Sequence, residues 1–236
     1  MSIITRAAKG SALTHAEVDT NFTDLRDGVG TGPRVPKTKG VGIRTDSLGT
    51  PTFPWHNLPG SVLLDASGPG SPVYVAYRGN IKQLAFDVGD GLSAQYTLPH
   101  DYLPGSDIFV QLNWSHNSAL VTGGSVTFGF ERIYAKGHGQ AAFGAPLLLT
   151  FVQNASLIQY QHMTNVMQGS IAGGSATQFD SAILECDGDV IGRLYLITNA
   201  ITVSGGAQPK PYVHGISLNY QSTGLGTKAR VPDFWT

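Results

Sequence analysis

Cysteine is nearly absent from this 236-residue chain: Cys186 is the only one. A single thiol excludes an intrachain disulfide framework and any multi-cysteine metal site. Charge is scarce as well. Asp, Glu, Lys and Arg make up only 13% of the residues, and the formal net charge is −1, against a usual charged share of roughly 25%. No global field draws in nucleic acid or an anionic membrane, so neither partner is expected. No apolar run approaches the ~18 residues of a membrane-spanning helix. Met1 to Lys9 is mixed and lacks the apolar stretch of a secretory signal. These absences lead to the expectation of a soluble protein made in a reducing cytoplasm, without membrane insertion.

Catalytic signatures are missing too. The seven histidines show no H-E-x-x-H and no H-x-H spacing, the patterns that place imidazoles around a metal. His116 and His138 both follow strongly β segments and could converge in space as metal ligands, but ordinary loop or core roles are the stronger expectation. Asp187 and Asp189, and likewise Asp87 and Asp90, sit at turns, where Asp is favoured because it bonds its own backbone. No spacing marks a glycosidase pair. The glycine pairs Gly123-Gly124, Gly173-Gly174 and Gly205-Gly206 open no helix, so they lack the context of a phosphate cradle. No G-x-S-x-G elbow occurs. Cys186 ends a strand with no base beside it in sequence, which suits a buried apolar role. The expectation is a non-enzyme with no cofactor and no metal.

What the chain has in quantity is turn formers. Gly (30) and Pro (13) exceed their average shares of about 7% and 5%, favouring short strands and tight connections. The layout is uneven. Residues 1–27 carry one helix signal: Thr14 and Glu17 form a T-x-x-E capping box, and Leu13 and Val18 stand at staple positions. Val18, Phe22 and Leu25 recur at i, i+4 and i+7 as one apolar stripe, and Asp27-Gly28 ends it. A helix this short is marginal alone in water, so the stripe must meet a partner, in its own domain or on a neighbouring subunit. Residues 28–60 hold Pro33, Pro36, Pro51, Pro54 and Pro59 with basic Arg34, Lys37, Lys39 and Arg44. That composition predicts an extended arm, whose basic cluster is either solvated or set against an acidic partner.

From residue 61 to 221 strands follow one another. Expected are Val73–Tyr77, Gln83–Val88, Leu92–Thr97 after the Asp90-Gly91 turn, Asp107–Trp114, Ser125–Tyr134, Leu147–Val152 and Tyr160–Met167. Thr177–Cys186 and Val190–Thr198 are read as a hairpin about Asp187-Gly188-Asp189, with Val213–Gln221 as the last strand. Ile108, Val110, Leu112 and Trp114 share one face, as do Val126, Phe128 and Phe130. About ten strands with turns between them predict a mostly β chain: an antiparallel β-sandwich, jelly-roll-like, with one short N-terminal helix and an extended arm. Residues 222–236 form a tail whose Phe234 and Trp235 are costly to leave in water and are expected to pack on a sibling subunit. Tyr160, Tyr212 and Tyr220 are candidates for a sugar-binding surface, although half-buried strand positions favour tyrosine anyway.

Two stretches resemble known proteins. Ile3 to Phe22, with Lys9-Gly10-Ser11, Leu13-Thr14, Glu17, Asp19 and Asn21-Phe22, resembles the leader of tailed-bacteriophage virion proteins, notably the attachment ends of tail fibres. His214 to Phe234, with Gln221-Ser222-Thr223 and Thr227-Lys228, resembles the ending of a phage structural family, and Leu98–Asp107 with Trp114–Asn117 fits that family as well. No repetitive shaft follows the leader. The resemblance implies a virion structural protein on the particle surface, made in the host cytoplasm. It would be a homotrimer that contacts other tail or capsid proteins, with its sandwich as the knob of a fibre-like appendage. The contact residues would be Leu13, Val18, Phe22, Leu25, Arg34, Lys37, Lys39, Phe234 and Trp235. Two alternatives stand beside it: a capsid decoration (cement) protein bound to the major capsid protein, and a carbohydrate-binding or glycan-degrading module that meets a host surface glycan.

Overall fold

The computed structural model describes residues 53–64 and 70–223, together with Ala12, Thr14 and Val18. All its strands fall within one compact unit, Trp55–Gln221. The expected helix over residues 13–27 and the tail beyond 223 lie outside the described residues. Of that helix only one bond is described, from the Val18 N–H to the Thr14 carbonyl at 3.1 Å.

A six-stranded sheet is built from β1 (Trp55–Pro59), β3 (Val73–Arg78), β4 (Ile81–Ala85), β6 (Phe109–Ser115), β10 (Met163–Gln168) and β15 (Tyr212–Gln221). Its order runs β10-β6-β15-β4-β3. The long β15 pairs with β4 near its start, through Tyr212 and Val213, and with β1 over Ser217–Gln221. A five-stranded sheet takes β2 (Ser61–Leu64), β5 (Gly91–Thr97), β8 (Ser125–Ala135), β9 (Leu147–Asn154) and β13 (Asp189–Asn199), in the order β2-β5-β13-β8-β9. All pairs in both sheets are antiparallel. Two small sheets complete the unit: β7 (Val121–Gly123) with β14 (Thr202–Val203), and β11 (Ser170–Ile171) parallel to β12 (Phe179–Asp180).

Period-2 alternation sets the register, because a slip by one residue would turn every apolar side chain to water. Ile108, Val110, Leu112 and Trp114 of the first sheet are at most 1% exposed, and so are Val126, Phe128 and Phe130 of the second. These inward rows belong to one buried core. Trp114 lies 6.4 Å from Phe128 between ring centroids, and its indole N–H donates to Gln153 Oε1 at 2.6 Å. That bond ties β6 of one sheet to β9 of the other. The edges meet there too: Gln153 Nε2 donates to the Thr164 carbonyl, and Asn165 Nδ2 to that of Val152, each at 3.3 Å.

The structure corrects several expected elements. Trp55–Pro59, inside the stretch read as arm, is a strand registered on β15; Pro54 precedes it and Pro59 is its last residue, so the four residues between them keep their donors. The hairpin about Asp187-Gly188-Asp189 does not form. Instead Asp180 caps a 3₁₀ turn over Ser181–Ile183. Asp187, at φ 60, donates its N–H to the Leu98 carbonyl, and Leu98 donates to Gly188. The turn thus docks on the end of β5, and β13 takes β5 and β8 as its neighbours. Tyr160 does not begin a strand; it sits at φ 61 in the turn before β10. Cys186 is fully buried, and burial with the neighbouring Asp187 carboxylate pushes its thiol up to about 11, as suits an inert packing residue.

Candidate functional site

The outward rows of the six-stranded sheet hold the most organised polar surface. Because the even-numbered residues of β6 face the core, Phe109, Gln111 and Asn113 face outward, and Ser115 lies on the same side of the strand but is covered by its neighbours. Register aligns them with Asn219, Ser217, Gly215 and Tyr212 of β15, and with Gln168, Val166 and Thr164 of β10. On the far side of β15, Trp55 and Asn57 of β1 stand opposite Gln221 and Asn219.

Side-chain amides link these rows into a ladder across four strands. Asn57 Nδ2 donates to Ser217 Oγ and to Asn219 Oδ1, each at 2.7 Å. Asn219 Nδ2 donates to Gln111 Oε1 at 3.0 Å, and Gln111 Nε2 to Asn113 Oδ1 at 3.2 Å. Thr164 Oγ1 also donates to Asn113 Oδ1, at 2.9 Å. The bonds hold the amides in place without saturating them. A primary amide carries two N–H donors, so Gln111 and Asn219 each keep one donor beyond these bonds and Asn113 keeps both.

Aromatic groups stand at both ends of this row. At the Phe109 end, Trp55 meets Phe109 edge-on at 5.2 Å, and Trp55, Phe109, Val166 and Asn219 line an open hollow of about 210 Å³. Trp55 is 51% exposed. At the Ser115 end, Tyr77 gathers Tyr160 at 5.1 Å, Tyr212 at 5.0 Å and His214 at 5.4 Å. Ser115 Oγ bonds both the Tyr77 hydroxyl, at 2.7 Å, and His214 Nε2, at 2.8 Å. The Tyr212 hydroxyl accepts from Asn117 Nδ2 at 2.9 Å, and the Arg78 guanidinium lies 5.1 Å from the Tyr160 ring centroid. Burial, with His162 nearby, lowers the His214 pKa and so favours the neutral imidazole. Burial raises that of Tyr212.

The three tyrosines singled out by sequence therefore separate. Tyr160 and Tyr212 both touch Tyr77 on the outer face. Tyr220 faces inward, 6.4 Å from Tyr102, with its hydroxyl on Asp101 at 3.1 Å. Asn57, Trp55, Phe109, Gln111, Asn113 and Asn219 were not anticipated. The available signal was the run of amides at alternate positions of β6, opposite the apolar row. Of the partner-contact residues expected at the termini, only Val18 is described, and it is half-buried. Leu13, Phe22, Leu25, Arg34, Lys37, Lys39, Phe234 and Trp235 lie outside the described residues. His116 and His138 do not converge. His116 is buried, with Nε2 on the Ser156 carbonyl at 2.8 Å. His138 and His100 each place Nε2 3.0 Å from one oxygen of Asp187. Among the described residues no group of three such side chains is arranged to hold a metal ion, and no helix is long and apolar enough to cross a membrane.

No family model matches the chain, and no curated protein does. Solved structures give shallow likenesses. One is the C-terminal family 22 carbohydrate-binding module of Clostridium thermocellum Xyn10B, 16% identical with a TM-score of 0.27, covering 71% of this chain and 85% of that one. A second is a family 11 carbohydrate-binding module from the same organism in complex with a beta-1,3-1,4-mixed-linked tetrasaccharide, at 14% identity and TM-score 0.28, covering 73% and 92%. A third is the enzymatically active domain of bacteriophage CBA120 tailspike protein 4, at 9% identity and TM-score 0.28, covering 70% of this chain and 19% of that one. At such scores the likenesses carry no functional weight.

Proposed function

We propose that this chain is a recognition component of a tailed-bacteriophage particle, a fibre-like appendage protein whose sandwich binds carbohydrate. The observation that carries the recognition half is the unsaturated amide ladder between two aromatic groups. Sugars present apolar C–H faces and many hydroxyls. Rings that stack and planar amides that both donate and accept suit such a ligand, as in ligand sites where a few placed polar groups fix orientation on an otherwise apolar surface. The virion half rests on the leader Ile3–Phe22 and the ending His214–Phe234, with attachment through the first 27 residues and trimeric display. Symmetric repetition on a particle turns modest single-site affinity into firm attachment.

The full-length chain applied to a glycan array tests the recognition half: binding to at least one immobilised glycan is expected, and an array without hits would contradict it. Deleting residues 1–27 tests the virion half. The truncated protein is expected to fold, to keep glycan binding and to fail to join particles; normal incorporation would refute attachment through the leader. Copy number separates an appendage from a decoration protein: a few tens per particle or fewer fits the first, hundreds the second.

A further inference from the structure

The four strands that carry the ladder share an absence of formal charge, as do Ser61–Leu64, Gly91–Thr97 and Leu147–Asn154 of the other sheet. Trp55–Pro59, Phe109–Ser115, Met163–Gln168 and Tyr212–Gln221 contain no Asp, Glu, Lys or Arg. By contrast, the two longest strands of the other sheet carry Glu131, Arg132, Asp189 and Arg193. The imidazole in the Tyr77 cluster that contacts Ser115, His214, has its pKa lowered by burial and by His162, which disfavours its charged form. A ligand on this face therefore meets hydrogen-bond donors, acceptors and ring faces along the ladder, with formal charge only at its margins, where Arg78 lies over the Tyr160 ring and Asp107 accepts from Gln168 Nε2.

Shape points the same way. Phe109 to Ser115 spans six residue steps, about 20 Å at ~3.3 Å per residue. Both ends are marked by aromatic groups, Trp55 with Phe109 and Tyr77 with His214. Between them the floor is open. Gly215 stands opposite Asn113, and a Cβ built on Gly215 meets no heavy atom within 4 Å. The surface is thus a shallow track along β6 rather than a closed pocket.

We infer that this track binds an uncharged, extended glycan chain lying along β6, with one sugar face against Trp55 and ring hydroxyls paired to the spare amide donors of Gln111, Asn113 and Asn219. The inference rests on the carbohydrate reading and names the ligand class within it. An acidic polysaccharide is disfavoured, because its repeated carboxylates meet no cation along the amide ladder, where Arg78 stands only at the Tyr77 end. A free monosaccharide binds weakly, because it reaches only one end of the track. Trp55 acts by stacking, and Gly215 acts by leaving the middle clear.

Affinity electrophoresis of the full-length chain through gels that contain one soluble polysaccharide each tests this. The neutral probes are xylan, mixed-linkage glucan, galactomannan and dextran; the acidic probes are polygalacturonate, hyaluronan and polysialic acid. Retardation by at least one neutral polymer and by no acidic one is expected. Trp55→Ala is expected to weaken it at least tenfold, and Gly215→Gln to abolish it by filling the track. Both substitutions fall on outward-facing positions, and an unchanged thermal unfolding midpoint identifies the loss as local. Retardation only by acidic polymers, or neutral binding that survives both substitutions, would overturn the inference while leaving carbohydrate binding in place. No retardation by any polymer, with an empty array, would overturn both.

Discussion

Trp114 joins the two sheets through both packing and a hydrogen bond. It is 1% exposed, lies 6.4 Å from Phe128 across the core, and donates to Gln153 Oε1 at 2.6 Å. Removing it has two separable costs. A buried tryptophan carries roughly 150–250 Å² of surface, worth about 4–6 kcal/mol at ~25 cal/mol per Å². Part of that is recovered when neighbours relax, and Trp→Ala replacements in cores cost about 3–5 kcal/mol. The hydrogen bond adds about 1 kcal/mol, less than for a sealed site because Gln153 is only half-buried and water can replace the indole. Trp114→Ala is therefore expected to lose about 4 kcal/mol, and Trp114→Phe about 1–2 kcal/mol, because phenylalanine keeps most of the packing but not the donor. Urea unfolding followed by far-ultraviolet circular dichroism measures both, with the slope against denaturant checked for constancy. A cycle with Gln153→Ala should return about 1 kcal/mol of coupling. A loss below about 1 kcal/mol for Trp114→Ala would refute the reasoning, since a residue that fills the centre of a shared core cannot be removed so cheaply.

Three further outcomes follow from buried groups. Arg132 is 1% exposed; its Nη2 donates to the Gly169 and Thr177 carbonyls at 2.9 Å each, its Nε and Nη1 find no partner, and burial lowers its pKa to about 10. Arg132→Lys should therefore destabilise by about 2 kcal/mol in chemical denaturation, while Arg132→Met stays within about 1 kcal/mol of the parent because it removes the buried charge; the reverse order would point to an unrecognised counter-ion. His214 has a lowered pKa from burial and from His162, so the unfolded chain binds its proton first: stability should fall as pH drops below the unfolded value of about 6.5 and level off below the depressed folded value. His214→Gln should flatten that part of the stability–pH curve, and an unchanged slope would assign the effect to other groups. Gly192 faces the Phe130 ring so closely that a Cβ would lie 2.4 Å from Cε2 and 2.9 Å from the Glu131 carbonyl oxygen, so Gly192→Ala should cost about 1–3 kcal/mol and lower the thermal midpoint.

Much of the body was legible because alternation is a local signal. Ile108 to Trp114 and Val126 to Phe130 announce their strands and their buried faces with no knowledge of what packs on them. Pairing was less legible. Asp187-Gly188-Asp189 has the composition of a hairpin turn, yet the residues before it form a 3₁₀ turn and β13 pairs with β5 and β8, since strand partners are chosen by long-range packing and not by the turn alone. Trp55 was masked by its prolines. Pro54 and Pro59 suggest an arm, but the strand they bound needs donors only from the residues between them. The candidate site was half-visible for a related reason. Tyrosines draw attention one at a time, whereas the ladder of Asn57, Asn219, Gln111 and Asn113 exists only once β1, β15 and β6 lie side by side, as Asn57 and Gln111 are far apart in the chain and both lie close to Asn219 in space.

The central claim is that the outer face of the six-stranded sheet grips sugar. Tryptophan fluorescence of the full-length chain, titrated with whichever neutral oligosaccharide the gels select, tests it most directly when parent and Trp55→Ala are compared. Trp114 is sealed in the core and serves as an internal reference, and the third tryptophan is removed from both proteins by Trp235→Phe so that a change reports on Trp55. The account predicts a saturable shift in the parent, lost in Trp55→Ala and restored in part by Trp55→Tyr, while the core tryptophan signal stays unchanged. The same shift in the variant that lacks Trp55, or saturable binding with no change in Trp55 emission, would contradict it.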